Sequence, residues 1–246
     1  MSFVTEIFLV IFGIGLGIFM EKILCRKVMR DNFNKQQNFI SAASHEFRTP
    51  LTIIRGYADM LEKFGAEDEE IFLESVLAIK NSAKNMQELI EKVLFLSRAE
   101  QNILLLEKKS VDVSELLKNL IESYNNPRIE FFCGENFNFV GDKSFLEKMF
   151  AEIIDNALKF SAEKISVTVK KNSVEISDSG IGIASENFEK IFEKFFKVDK
   201  SRTKTDSEKI SAGLGLSIAK FIADAHKIKI TVESKLNIGT KITLKF

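Results

Sequence analysis

The sequence predicts an α+β chain in three parts. These are an N-terminal transmembrane helix, a long helical hairpin that forms a dimeric four-helix bundle, and an α/β sandwich. Three observations predict this. Residues 7–20, IFLVIFGIGLGIFM, are apolar without interruption. Two apolar stripes at three- and four-residue spacing follow, the mark of long helices. After Glu100 the pattern changes to short alternating runs set between helical ones, which reads as strands and helices in layers.

The apolar run with its shoulder, residues 3–20, extends about 27 Å as a helix, enough for a bilayer core. No Lys or Arg precedes it, and Lys22, Arg26, Lys27 and Arg30 follow it. The positive-inside rule then puts the N-terminus outside and the rest in the cytoplasm, as a single-pass protein of the cytoplasmic (inner) membrane. A cleaved signal peptide would want positive charge before the run and a small-residue cleavage site after it. Gly13 and Gly17 form a G-x-x-x-G pair, read either as a close-packing dimer face or as ordinary membrane-helix glycine. So little chain projects outside that sensing is expected within the membrane or through a partner, unless the true start lies upstream of Met1. The expected parts are 1–21 in the membrane, 22–37 as a juxtamembrane helical linker, 38–101 as the hairpin and 102–246 as the sandwich.

In the hairpin, one stripe runs through Ile40, Ala43, Phe47, Leu51, Ile54, Ala58 and Leu61. Gly65 ends it, and Glu67–Glu70 is an acidic loop and first turn. The second stripe is Phe72, Val76, Ile79, Ala83, Met86, Ile90 and Val93. Two helices with one apolar face each do not make a core alone, so a homodimer is expected. His45 falls off the stripe, on the face of Arg48, Thr49 and Thr52. An imidazole with an ordinary pKa of about 6.5 keeps a neutral, nucleophilic nitrogen near neutral pH. A merely solvated histidine is the plain alternative.

In the third part, Ile103–Leu106 reads as a short strand. Asp112-Val113-Ser114-Glu115 is a capping box that opens a helix through Tyr124, and Asn125-Asn126-Pro127 breaks it. Ile129–Phe132 and Phe137–Val140 read as strands, and Asp142 starts a helix through Phe160. Ile165–Lys170 and Val174–Ser177 flank a hairpin turn. Leu214–His226 reads as a helix, with Ile228–Glu233 and Lys241–Phe246 as closing strands.

Lys+Arg and Asp+Glu both number 35, so net charge offers no case for nucleic-acid binding. Cys25 and Cys133 are isolated, which fits a reduced compartment and argues against a zinc site. Phe numbers 23, an excess that nothing in the pattern accounts for.

Five motifs occur in one order: Ser44-His45-Glu46-Phe47-Arg48-Thr49-Pro50, Asn156 in IIDNALKF, Asp178-Ser179-Gly180-Ile181-Gly182, FEKFF at 192–196, and Gly213-Leu214-Gly215-Leu216. They resemble the H, N, G1, F and G2 boxes of sensor histidine kinases, over nearly everything after residue 35. The resemblance implies the ATP-binding fold shared with type II topoisomerases and heat-shock chaperones. It implies His45 as phosphate acceptor from ATP, Glu46 as the group that orients the ring or takes its proton, and Thr49 as an aid to dephosphorylating the partner. That partner would be a separate response regulator, phosphorylated on aspartate, since the chain stops after the ATP domain. Asn156 would hold Mg²⁺, Lys159 phosphate, and Asp178 the adenine amino group. Gly180 and Gly182 would admit the base, and Gly213, Leu214 and Gly215 the phosphates. Phe160 has two readings, stacking on adenine or core packing. Residues 197–212 read as a lid over ATP. Lys194 and Lys197 stand where many relatives carry Arg, and Pro50 is expected to kink or loosen its helix.

Glu152 departs from the pattern, because many members carry Asn there. Glu serves the hydrolytic relatives as the group that activates water. Here it is expected either to reach Mg²⁺ through water or to act as a base. Two other functions stay open. A gyrase- or chaperone-type ATPase without phosphotransfer would keep its turnover in His45→Gln. A regulator-binding scaffold would not bind ATP.

Overall fold

The computed structural model describes residues 3–64, 68–101, 103–198 and 212–246, with the backbone alone for 3–20 and a few more positions up to 35. The apolar run at 3–20, with Gly13 and Gly17, therefore has its side chains outside the described residues, as does most of the lid segment. Among the described residues no helix is long and apolar enough to cross a membrane. The chain divides into two compact units, Met1–Arg48 and Thr49–Phe246.

Helix α1, Phe3–Phe64, supplies the first unit and continues through Pro50. The helix is unbroken there, although Pro50 has no N–H for the carbonyl four residues earlier. Helix α2, Glu69–Glu100, lies wholly within the second unit, which begins with the last turns of α1. Asp68 caps it, accepting from the N–H groups of Glu70 and Ile71 at 3.0 and 3.1 Å. Its buried residues are Ser75, Ser82, Leu89, Leu96 and Ala99. The buried seam thus stands one helical position away from the expected stripe. Phe72 and Ile90 of that stripe are exposed, beside Leu73, Leu77 and Leu94. On α1, Leu51, Met60 and Phe64 are exposed as well. A helix of this length has two apolar faces, and the periodicity does not say which one the chain covers itself.

The sandwich begins with β1, Lys109–Asp112, and α3, Val113–Tyr124. The strand expected at 103–106 does not form. Leu104 and Leu106 line a cavity of about 260 Å³ with Ala99 and Phe221, Leu105 is exposed, and the N–H of Glu107 donates to Asp142 Oδ2 at 2.8 Å. The alternation is real, but among the described residues no strand pairs with it. Next come β2 (Ile129–Cys133), β3 (Asn138–Gly141) and α4 (Lys143–Phe160). Then follow β4 (Ile165–Lys170), β5 (Ser173–Asp178), α5 (Gly215–His226), β6 (Lys229–Lys235) and β7 (Gly239–Lys245).

Among the described residues β2-β4-β5-β7-β6 form one mixed sheet, with β2 and β4 parallel and the rest antiparallel. Strands β1 and β3 form a separate pair. The inward face carries Ile165, Val167, Val169, Val174, Ile176, Ile242 and Leu244, all buried. Against it lie α4 and α5, with Leu146, Phe150, Ile153, Ile154, Ile218 and Ile222 buried. Each such side chain contributes about 1.5–3 kcal/mol. Tyr124 ties α3 to α4, its hydroxyl donating to Asp155 at 2.7 Å. Burial, then that carboxylate, pushes the hydroxyl's pKa well up. Part of the phenylalanine excess finds its place here. Phe246 packs edge-on against Phe137 and Phe139 and tilted against Phe150, at 5.1, 4.9 and 6.3 Å.

Candidate functional site

His45 sits on α1 with its side chain 74% exposed, and Glu46 is at 15%. His45 Nδ1 is 3.9 Å from Glu46 Oε1, close enough for charge interaction and longer than a hydrogen bond. Thr49 is exposed too, one helical turn on.

The Asn156 motif and the glycine loop after β5 meet at the C-terminal turn of α4. Asn156, Lys159 and Phe160 stand there half-buried. Asp142 caps the start of α4, and Arg128 donates to the carbonyls of Leu158 (3.1 Å), Ser161 and Glu163 (3.2 Å) at its end. Phe160 is neither fully buried nor free. Lys159 Nζ lies 5.6 Å from its ring centre, and its carbonyl accepts the N–H of Ile181 at 3.3 Å. That bond ties α4 to the glycine loop after β5.

The loop is built on close backbone approach. A Cβ at Gly180 would stand 2.2 Å from the Phe160 oxygen. At Gly182, φ is +67° and a Cβ would stand 2.0 Å from the Lys235 oxygen. The turn between β6 and β7 clamps the far side. Asn237 N–H donates to Ile181 O at 2.8 Å, and Ile183 N–H donates to Ser234 Oγ at 2.8 Å. Asp178 Oδ1 accepts the Gly180 N–H at 2.8 Å. Burial raises the Asp178 pKa, while the N–H groups of Gly180 and Thr240 pull against that rise.

The residues that flank the expected lid segment are tied together. Phe195 N–H donates to Gly213 O at 2.9 Å, with φ of 62° at Phe195 and 70° at Gly213. A left-handed phenylalanine is strained, and here it stands at the root of that segment. Leu214 is buried, and Gly215 begins α5. Lys194 is ion-paired with Glu100. Glu152 is buried and bonded to Lys92 of α2 at 2.6 Å. His226 has a structural place at the end of α5. It is buried, and its Nε2 accepts the Asp142 N–H at 3.0 Å while Nδ1 donates to Ile222 O at 2.9 Å.

The donor set suits Mg²⁺ in one respect. Asn156 and Glu152 offer hard oxygens one turn apart on α4, and Mg²⁺ takes few protein ligands beside water and phosphate. Among the described residues no cluster of three or more acidic, His or Cys groups would hold a metal by itself.

Sequence reasoning missed Arg128, Lys92 and the clamp by the β6–β7 turn. No local signal announces a contact between segments so far apart in the chain. The five boxes were the findable signal.

A helical phosphoacceptor hairpin followed by this glycine-looped sandwich defines a histidine kinase core. Residues 35–102 match the His Kinase A (phospho-acceptor) domain, and residues 141–246 match the family of histidine kinase-, DNA gyrase B- and HSP90-like ATPases. The chain is 31% identical over 227 residues to the sensor histidine kinase YkoH of Bacillus subtilis, covering 89% of this chain and 49% of that protein. It is 31% identical over 229 residues to the signal transduction histidine-protein kinase ArlS of Staphylococcus aureus, covering 89% and 50%. The Acinetobacter baumannii histidine kinase AdeS shares the fold at a TM-score of 0.63 with 23% identity, over 82% of this chain and 96% of that one. The histidine kinase ThkA, solved with the response regulator protein TrrA, shares it at 0.66 with 22% identity, over 88% and 63%. The chain belongs to the sensor histidine kinases of two-component systems. It spans about half the length of the curated relatives it matches.

Proposed function

We propose that the chain is a membrane-anchored kinase that transfers the γ-phosphate of ATP to His45 and then to an aspartate of a separate response regulator. The observation that carries this is the exposed His45 ring with Glu46 at Nδ1. Nε2 attacks the γ-phosphorus, the bond to the β-phosphate oxygen breaks, and ADP leaves. Glu46 takes or holds the Nδ1 proton, so that the attacking nitrogen keeps its lone pair. Thr49 serves the reverse step, the dephosphorylation of the regulator.

On the nucleotide side, Asp178 accepts from the adenine amino group, and Gly180 and Gly182 let the backbone approach the base. Phe160 lies against adenine, Lys159 reaches phosphate, and Gly213, Leu214 and Gly215 present N–H groups at the start of α5. Asn156, with Glu152 nearby, would hold Mg²⁺. When bound, that ion neutralises charge on the phosphates during transfer. Catalysis here is positioning and charge neutralisation.

Residues 1–21 anchor the chain in the cytoplasmic membrane, 22–37 link, 38–101 dimerise and carry the phosphate, and 102–246 bind ATP. The exposed apolar residues of α1 and α2, Leu51, Leu73, Leu77 and Leu94 among them, support a homodimer. The ThkA structure with TrrA supports a regulator as the partner. The test is γ-labelled ATP with Mg²⁺, beside His45→Gln. Acid-labile, base-stable label absent from the variant supports the kinase. Phosphate release that survives in His45→Gln and disappears in Glu152→Ala would support the hydrolytic alternative.

A further inference from the structure

Glu152 is where the sequence departs from its family, and the structure gives it a partner that no motif announces. Its carboxylate is 6% exposed, one turn before Asn156 on α4. It also lies against the first residue of α5, since a Cβ at Gly215 would stand 2.7 Å from its Oε2. A helix N-terminus there suits phosphate. A bare carboxylate at the same place repels phosphate, and its burial is unfavourable without a counter-ion. Lys92 of α2 is that counter-ion, at 2.6 Å and 30% exposed.

The contact continues along α2. Phe95 packs against Phe145 of α4 and Phe221 of α5, with ring centres 5.7 and 6.0 Å apart, and Lys148 Nζ lies 5.2 Å from its ring centre. Glu100, further on, pairs with Lys194. So α2 presents a cation to Glu152 and an anion to Lys194. Mg²⁺ and phosphate would present the same two signs to the same two residues.

We infer that Lys92 is a positioning residue for the nucleotide site. Lys92 and Mg²⁺ are alternative counter-ions of Glu152, so the seating of α2 on this domain and the binding of Mg·ATP oppose each other. The inference rests on the ATP-binding reading above. With Lys92 in place, Glu152 is neutralised and turned from the metal. With Lys92 released, the carboxylate is available to Mg²⁺, and nucleotide without Mg²⁺ meets an unscreened negative charge.

The test uses the full chain in detergent. A fluorescent ATP analogue is titrated at a series of Mg²⁺ concentrations, with Lys92→Met, Lys92→Arg, Glu152→Gln and the Lys92→Met/Glu152→Gln pair. Lys92→Met should lower the Mg²⁺ needed for half-maximal binding by about three- to tenfold and weaken binding in EDTA. Lys92→Arg should restore the unaltered behaviour, and Lys92→Met should have no effect in the Glu152→Gln background. A merely structural role would weaken binding equally at every Mg²⁺ concentration. That result, or a Lys92→Met effect that persists with Glu152→Gln, overturns the inference alone. If the unaltered chain binds no nucleotide at any Mg²⁺ concentration, the ATP-binding reading fails and this inference with it.

Discussion

His45 and Asp178 hold their functional groups in opposite ways. The His45 ring is 74% exposed on a helix surface, with one carboxylate 3.9 Å away. Asp178 is half-buried, bonded by backbone N–H groups, and followed by glycines that touch α4 on one side and the β6–β7 turn on the other. In the proposed function the acceptor meets two partners, a nucleotide and then another protein, and so needs access more than rigidity. A pocket that selects one base needs fixed acceptors and no room to relax. Substitutions should therefore separate stability from function on the helix and join them at the glycines of the loop.

The largest effect expected is Gly182→Ala. The left-handed φ and the Lys235 oxygen 2.0 Å from the new methyl leave it no place. It should destabilise the sandwich by about 3 kcal/mol in urea unfolding and abolish nucleotide binding together. Asp178→Asn keeps the shape and changes the acceptor. ATP affinity should fall at least about tenfold, with discrimination against GTP reduced and the melting temperature little changed. Binding isotherms for both nucleotides check it.

A smaller effect follows pH. Burial first, and the nearby Lys108, hold the His226 pKa below its ordinary value, against the opposing pull of the Ile222 carbonyl and Asp142. Protonated Nε2 would face the Asp142 N–H, donor against donor. The unfolded chain then binds a proton that the folded chain refuses. This contribution is complete above about pH 6.5 and is lost as pH falls toward the lowered folded value, with a slope of at most about 1.4 kcal/mol per pH unit. His226→Gln should remove that slope. Asp142 acts lower. Burial alone would raise its pKa, but bonds from Ser144, Glu107 and Phe145 hold it below the usual carboxylate range, so its share is lost only in stronger acid. The smallest effect is on the helix. Thr49→Ala and Glu46→Gln should each change stability by no more than about 0.5 kcal/mol, while regulator dephosphorylation and labelling rate respectively fall. If either unfolds the chain, the contrast between the two regions is wrong.

Much of the fold was legible because its signals are local. Asp112 and Asp142 stand at the two N-caps, as the capping pattern says, and Asn125 adopts the left-handed turn that ends α3. The Lys171-Asn172 turn has Asn172 at φ 54°. What failed was whatever needed a partner from far along the chain. Leu104 and Leu106 alternate like a strand, but among the described residues no strand pairs with them. On α2 the two faces differ by one helical position, and only packing decides which is covered. Glu152 could be recognised as unusual from sequence. Its bond to Lys92, across 60 residues, could not.

The most direct test of the central claim is to find the phosphate. The full chain, incubated with Mg·ATP and digested under alkaline conditions, is analysed by mass spectrometry for phosphohistidine. A single modified residue at His45, absent from His45→Gln and reduced in Asp178→Asn, is the predicted result. Phosphate on any other residue, or turnover of ATP with His45 unmodified, would contradict it.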